Sequence, residues 1–149
     1  IKMPMSYTFG VQIFNTNKWM VGLDYSAAQW SQFRNFGLTD SVTNSYKVSI
    51  GGQYTPDINA LHNYWSHVSY RLGFYYGADY VDVRNTQLKY YAVTLGASLP
   101  FRRSTDQIHL ALDLGQFGTQ TNRLVQETYV RFTLGLSLNQ QWFVKRKYD

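Results

Sequence analysis

Three histidines (His62, His67 and His109), 14 Lys+Arg and 9 Asp+Glu carry the acid–base chemistry outside the tyrosines, and there is no cysteine. A chain without Cys has no disulfide scaffold, thiolate zinc site, iron–sulfur cluster or thiol nucleophile. There is no HExxH pair. His109 and Asp113 alternate onto one face of a predicted strand, but four strand residues hold them about 13 Å apart. That is too far for a His–carboxylate dyad or for two ligands of one metal. No Ser/His/Asp set converges in register, and Gly51-Gly52 has no following Lys-Ser/Thr to cradle a phosphate. The chain is expected to be no enzyme and to carry no cofactor or metal.

The polar residues left over, Asp24, Lys47, His67, Arg71, His109, Asp113 and Arg131, make sense through the elements that position them. Apolar and polar residues alternate with period two nearly from end to end, the signature of half-exposed strands. Met5, Tyr7, Phe9, Val11 and Ile13 share one face of a first strand. Trp19 to Tyr25, Tyr46 to Tyr54, Val68 to Tyr76, Tyr91 to Leu99, Ile108 to Leu114 and Val130 to Leu138 repeat the pattern. Seven strands and no helical period are predicted, giving an all-β antiparallel fold.

The opposite face decides where such a sheet lives. Only 15% of the residues are charged and 17% are aromatic, against roughly 25% charged in an ordinary soluble domain. The polar face is Ser, Thr, Gly, Gln and Ala, with Asp24, Lys47, Arg71, Asp113 and Arg131 as its charges and no Glu. A water-facing sheet would be rich in Lys and Glu, whereas small polar residues suit the inside of a barrel. The apolar face reads as a lipid-facing band edged by aromatics. Phe14, Trp19, Tyr54, Trp65, Phe101 and Trp142 are assigned to one end, and Tyr25, Tyr46, Tyr76, Tyr91 and Tyr129 to the other. Strands of about 10 residues tilted by ~40° rise ~25 Å, the height of such a band. The sequence predicts a transmembrane β-barrel over residues 1–139, followed by a basic periplasmic tail over 140–149.

Formal net charge is +5, but the excess sits at Arg102-Arg103 and Lys145-Arg146-Lys147 rather than on a basic face, which excludes a nucleic-acid reader. The opening Ile-Lys-Met-Pro-Met-Ser does not read as a signal peptide, lacking an initiator Met and an apolar h-region, so either a signal has been removed or the chain is expected to begin in the middle of something longer. Short connections at Asn15–Lys18 and Arg102–Asp106 are expected to be periplasmic. Longer ones between strands 2–3, 4–5 and 6–7 are expected outside. Pro56–Trp65 is long for the periplasmic side. Strand 1 then enters from outside, so further strands are expected upstream and the C-terminus is periplasmic. Trp142 and Phe143 stand in for the terminal aromatic assembly signal of outer-membrane barrels.

The stretches Ser69-Tyr70-Arg71-Leu72-Gly73-Phe74-Tyr75-Tyr76, Leu99-Pro100-Phe101-Arg102-Arg103-Ser104 and Leu112-Asp113-Leu114-Gly115-Gln116-Phe117-Gly118-Thr119, with the end from Glu127 to Phe143, resemble a known family. They are similar to the C-terminal half of Bacteroidota outer-membrane proteins of the long-chain fatty-acid transporter (FadL) family. The resemblance implies a barrel of about fourteen strands with an N-terminal plug, of which seven are present here. It also implies inward transport of hydrophobic molecules such as fatty acids. The family includes non-transporting members as well, so a non-catalytic barrel subunit of a secretion or barrel-assembly complex is the alternative. Outer-membrane lipids and lipopolysaccharide are the expected surroundings, with a hydrophobic ligand or other outer-membrane proteins as partners. Asp113 is expected opposite Arg131, and Asp24 opposite Lys47, as cross-strand ion pairs. Arg71 has no partner in register and would meet a plug or an anionic head group.

Overall fold

The computed structural model describes residues 3–16, 18–32, 42–57, 63–83, 86–101, 104–120 and 124–139. Seven strands form one antiparallel meander: β1 (Ser6–Asn15), β2 (Trp19–Ala28), β3 (Ser45–Tyr54), β4 (Ser69–Val83), β5 (Thr86–Pro100), β6 (Gln107–Gly118) and β7 (Gln126–Ser137). Each pairs only with its sequence neighbours, so β1 and β7 are the outer strands of an open sheet. Two 3-10 turns, Trp30–Gln32 and Tyr64–Ser66, are its only helical pieces among the described residues. The all-β reading and the seven antiparallel strands are as the alternation predicts.

The packing inverts that of a soluble domain. Among the described residues the buried hydrophobics are Val68, Ala78 and Ala92, while large apolar side chains stand exposed: Val11 by 67%, Leu72 by 60%, Phe132 by 67% and Leu134 by 62%. They lie on one face from β1 to β7. A continuous apolar surface of this extent belongs against a membrane or a partner, because water would charge for every square ångström of it.

Strand lengths differ from expectation in one place. The 4–5 connection, expected to be a long polar loop, is instead a continuation of both strands to Val83 and Thr86. β4 and β5 each have 15 residues against 10 in β1, β2 and β3. The five additional residues carry the hairpin about 16 Å further, past a register shift between Ala78 and Asp82. Residues of the 2–3 connection wrap this extension. Val42 bridges Val81, the Thr43 N–H donates to the Tyr80 carbonyl at 2.9 Å, and Trp30 stacks on Tyr80 at 4.4 Å between ring centroids. Tyr80, expected in a loop, is therefore a strand residue held by a local aromatic pair.

Candidate functional site: the polar face

Register aligns the polar face into rows that cross all seven strands. One row runs Phe14–Met20–Gln53–Arg71–Gly96–Ala111–Thr133, and the next runs Gln12–Gly22–Gly51–Gly73–Thr94–Asp113–Arg131. Then follow Gly10–Asp24–Ser49–Tyr75–Ala92–Gly115–Tyr129 and Thr8–Ser26–Lys47–Gly77–Tyr90–Phe117–Glu127. Glu127 is a correction: β7 begins at Gln126 and so carries it onto a face expected to hold no Glu. Small residues flank the tyrosines of the last two rows, with Ala92 and Gly115 between Tyr75 and Tyr129 and Gly77 beside Tyr90, which leaves room for the rings to lean over them.

The third of these rows shows how the face is filled. Tyr75 and Tyr129 stand at the ends of a four-strand segment, about 14 Å apart at the usual strand spacing. Their hydroxyls nevertheless meet at 2.8 Å. They do so by leaning toward each other over Ala92, which is fully buried, and Gly115. A Cβ at Gly115 would run into both the Tyr129 ring and the Ala92 methyl. In the last row a Cβ at Gly77 would strike the Tyr90 hydroxyl end, and Tyr90 stacks on Phe117 and meets Tyr75 edge-on, with ring centroids at 6.3 and 6.2 Å. Two cations cap this aromatic layer. The Lys47 Nζ sits 4.7 Å above the Tyr75 ring, and the Arg131 guanidinium 5.4 Å from the Tyr129 ring.

The charged residues are thus placed differently from the expected ion pairs. Asp113 does face Arg131, yet its carboxylate accepts from the Thr94 hydroxyl at 2.6 Å while Arg131 turns to Tyr129, and among the described residues the two form no ion pair. Asp24 faces Ser49 and Lys47 faces Ser26, a two-residue offset that keeps both on the polar face but removes them from opposition. Asp24 lies over Gly10 instead, where a Cβ would meet its carboxylate. His67 is not a strand residue. It caps the Tyr64–Ser66 turn, with Nδ1 3.1 Å from the Asn63 carbonyl oxygen.

His109 does sit on the polar face, between the buried Ser98 hydroxyl at 2.7 Å from Nδ1 and the Ser137 hydroxyl at 2.8 Å from Nε2. This Ser–His–Ser chain was not apparent in the sequence, though Ser98 and His109 fall opposite once the 5–6 hairpin is closed. Among the described residues no carboxylate joins it: Asp113 lies two rows away and is engaged by Thr94.

Nearer the β1–β2 turn the rows are open. Gly22, Gly51 and Gly73 are consecutive across β2, β3 and β4 and leave bare backbone. Beside them a cleft of about 510 Å³ draws residues from β1, β2, β3, β4 and β6, among them Phe14, Met20, Gln53, Arg71 and Gln107. Because Phe14 on β1 and Gln107 on β6 share it, and Tyr75 meets Tyr129 across three intervals, the polar face is concave.

Of the aromatics assigned to the two ends, Trp19, Tyr25, Tyr46, Tyr54, Tyr76 and Tyr91 lie on the apolar face by register. Trp65 is in the 3-10 turn and Phe101 follows β5; both are exposed. Phe14 and Tyr129 are corrections: opposite Met20 and Gly115, they point to the polar side. Trp142, Phe143, Arg102-Arg103, His62 and the tail lie outside the described residues.

The connection between β5 and β6 holds the end of β7. The Asn139 N–H donates to the Asp106 carboxylate at 2.7 Å, and the Thr105 hydroxyl donates to the Asn139 carbonyl at 3.3 Å. Hydrogen bonds from Ser104 and Asn139 hold the Asp106 carboxyl below the usual carboxylate range.

No curated protein and no solved structure matches the chain. The resemblance to the fatty-acid transporter family finds no support in these comparisons. A family model described as BamG matches residues 1–149, which spans every strand and both faces of the sheet. The chain therefore belongs to the BamG family, whose membership implies association with the outer membrane and with its other proteins.

Proposed function

We propose that this chain is part of a non-catalytic β-barrel subunit of an outer-membrane barrel-assembly complex. The match of the BamG family over the whole chain carries the reading. Two features of the sheet support it. One face exposes aliphatic and aromatic side chains on all seven strands, which suits contact with hydrocarbon or with a partner barrel. The concave face is occupied at one end by the Tyr75–Tyr129 layer and elsewhere lined by Gln, Ser and Thr, which suits a scaffold better than a conduit for greasy solutes.

The barrel itself is part of the proposal. The open backbone edges of β1 and β7 cannot be left unpaired in a bilayer, where each unsatisfied group costs several kcal/mol. In this reading they pair with further strands that close the wall. The short β1–β2 and β5–β6 connections and the C-terminus lie on the periplasmic side, and the long β4–β5 hairpin stands outside.

Affinity purification of the full-length protein from its own outer membrane tests this. Co-purification with barrel-assembly components in fixed stoichiometry is the expected result. A protein that purifies alone, loaded with fatty acid or a similar amphiphile, would return the transporter reading.

A further inference from the structure

We infer that the cleft beside the β1–β2 turn is a binding site for an acidic peptide segment of another protein, with Arg71 receiving its carboxylate. The cleft holds about 510 Å³, within the ~300–1,000 Å³ range of ligand sites. Among the described residues its lining includes two cations, Arg71 and Lys18, and no carboxylate. Arg71 is exposed and is oriented rather than neutralised. Its Nε–H donates to the Gln53 Oε1 at 2.9 Å, directly opposite in register, and its stem passes over Gly96, where a Cβ would touch the Arg71 Cβ and Cδ. The rest of the guanidinium fork has no hydrogen bond or ion pair among the described residues, and such a fork matches a carboxylate in two parallel bonds.

The remaining walls choose the class of ligand. Gln12, Gln53 and Gln107 offer amide donors and acceptors of the kind peptide groups satisfy, while Phe14 and Met20 supply a small apolar patch for one neighbouring side chain. A lipid head group would also suit Arg71. Its tails, however, would lie among glutamines and threonines on the face turned away from the apolar band. The nearest acid in the rows, Asp113, stands one row from Arg71 on a strand two removed, roughly 12 Å away at the usual strand spacings and beyond the screening length at physiological salt of ~8 Å, and its carboxylate accepts from the Thr94 hydroxyl. Asp24, which lines an adjoining hollow with Arg71, lies a row further off on β2.

This site is independent of the assembly-subunit reading: the cleft could be empty in a chain that still co-purifies with assembly proteins. The test is calorimetric titration of the full-length protein in detergent with three probes: N-acetyl-Asp-Phe-amide, its Asn-Phe counterpart and octyl phosphate. The acidic peptide is expected to bind, with the Asn counterpart at least about tenfold weaker. Arg71→Gln should weaken the acidic peptide about 10- to 100-fold, as loss of a charged hydrogen-bonding group does. Arg71→Lys should retain part of the affinity, and Arg131→Gln, a cation at the far side of the same face, should retain all of it. Absence of binding to the wild-type protein, equal binding of the Asn counterpart, preference for octyl phosphate, or indifference to Arg71→Gln would each overturn the inference.

Discussion

The Tyr75–Tyr129 bridge allows the sharpest test of how the concave face is built. Gly115→Ala introduces a methyl group that meets the Tyr129 ring and the Ala92 Cβ at once. Ala92 is fixed on the backbone of β5, so Tyr129 must swing aside and give up its 2.8 Å bond to Tyr75. The loss combines a hydrogen bond of about 0.5–1.5 kcal/mol with ring packing of similar size, or about 1–3 kcal/mol in all. Gly22→Ala is the control, because its Cβ meets only the Val11 carbonyl at an ordinary 3.7 Å. Replacing glycine within a strand there is expected to be neutral or to stabilise by up to ~1 kcal/mol. Urea unfolding of the full-length protein folded into vesicles, read as midpoint and slope, measures both. A double-mutant cycle of Tyr75→Phe and Tyr129→Phe isolates the hydroxyl pair, with an expected coupling of about 0.5–1.5 kcal/mol. A Gly115→Ala protein no less stable than Gly22→Ala would refute this packing. Strict additivity of the two tyrosine changes would remove the bridge itself.

Four further outcomes are expected of the same sheet. Leu134→Arg, on the apolar face, should cost about 2–4 kcal/mol of folding free energy in vesicles if that face meets hydrocarbon. Thr133→Arg on the opposite face should cost far less, and equal costs would contradict the assignment of faces. Ser98→Ala leaves the His109 Nδ1 without its buried hydroxyl partner and should destabilise by about 1–3 kcal/mol in the same unfolding assay. Lys47→Met removes the cation above Tyr75 and should cost about 0.5–1 kcal/mol. For Asp106, hydrogen bonding lowers the folded-state pKa, so its stabilising effect is complete above the unfolded carboxylate value of about 4 and disappears as pH falls through the folded one. Hydrogen exchange of the Asn139 amide should accelerate below about pH 4, beyond the intrinsic trend. Asp106→Asn should remove that pH dependence.

The sequence by itself determined the strands and the sidedness of the sheet. Period-two alternation survives any tertiary arrangement, so Val11, Leu72 and Leu134 had to share one face and Gln12, Gly73 and Thr133 the other. Hairpin closure even placed Asp113 opposite Arg131. What lay beyond it were choices made between strands. Asp24 and Lys47 missed each other by two residues because a long connection leaves register open in steps that preserve the faces. Phe14 and Tyr129 look like members of an aromatic belt by type, but parity of position turns them inward. His67 belongs to a turn because the 3-10 piece at Tyr64–Ser66 delays the start of β4.

Only the assembled sheet could show that Asp113 takes a hydroxyl instead of its facing cation, or that His109 joins two serines. The same holds for two tyrosines 54 residues apart in the chain that meet over an alanine and a glycine. Each of these contacts depends on curvature, which sums small twists over several strands and is written in no single segment. Alternation is a local property of one strand, whereas a site on a concave face belongs to all of them together.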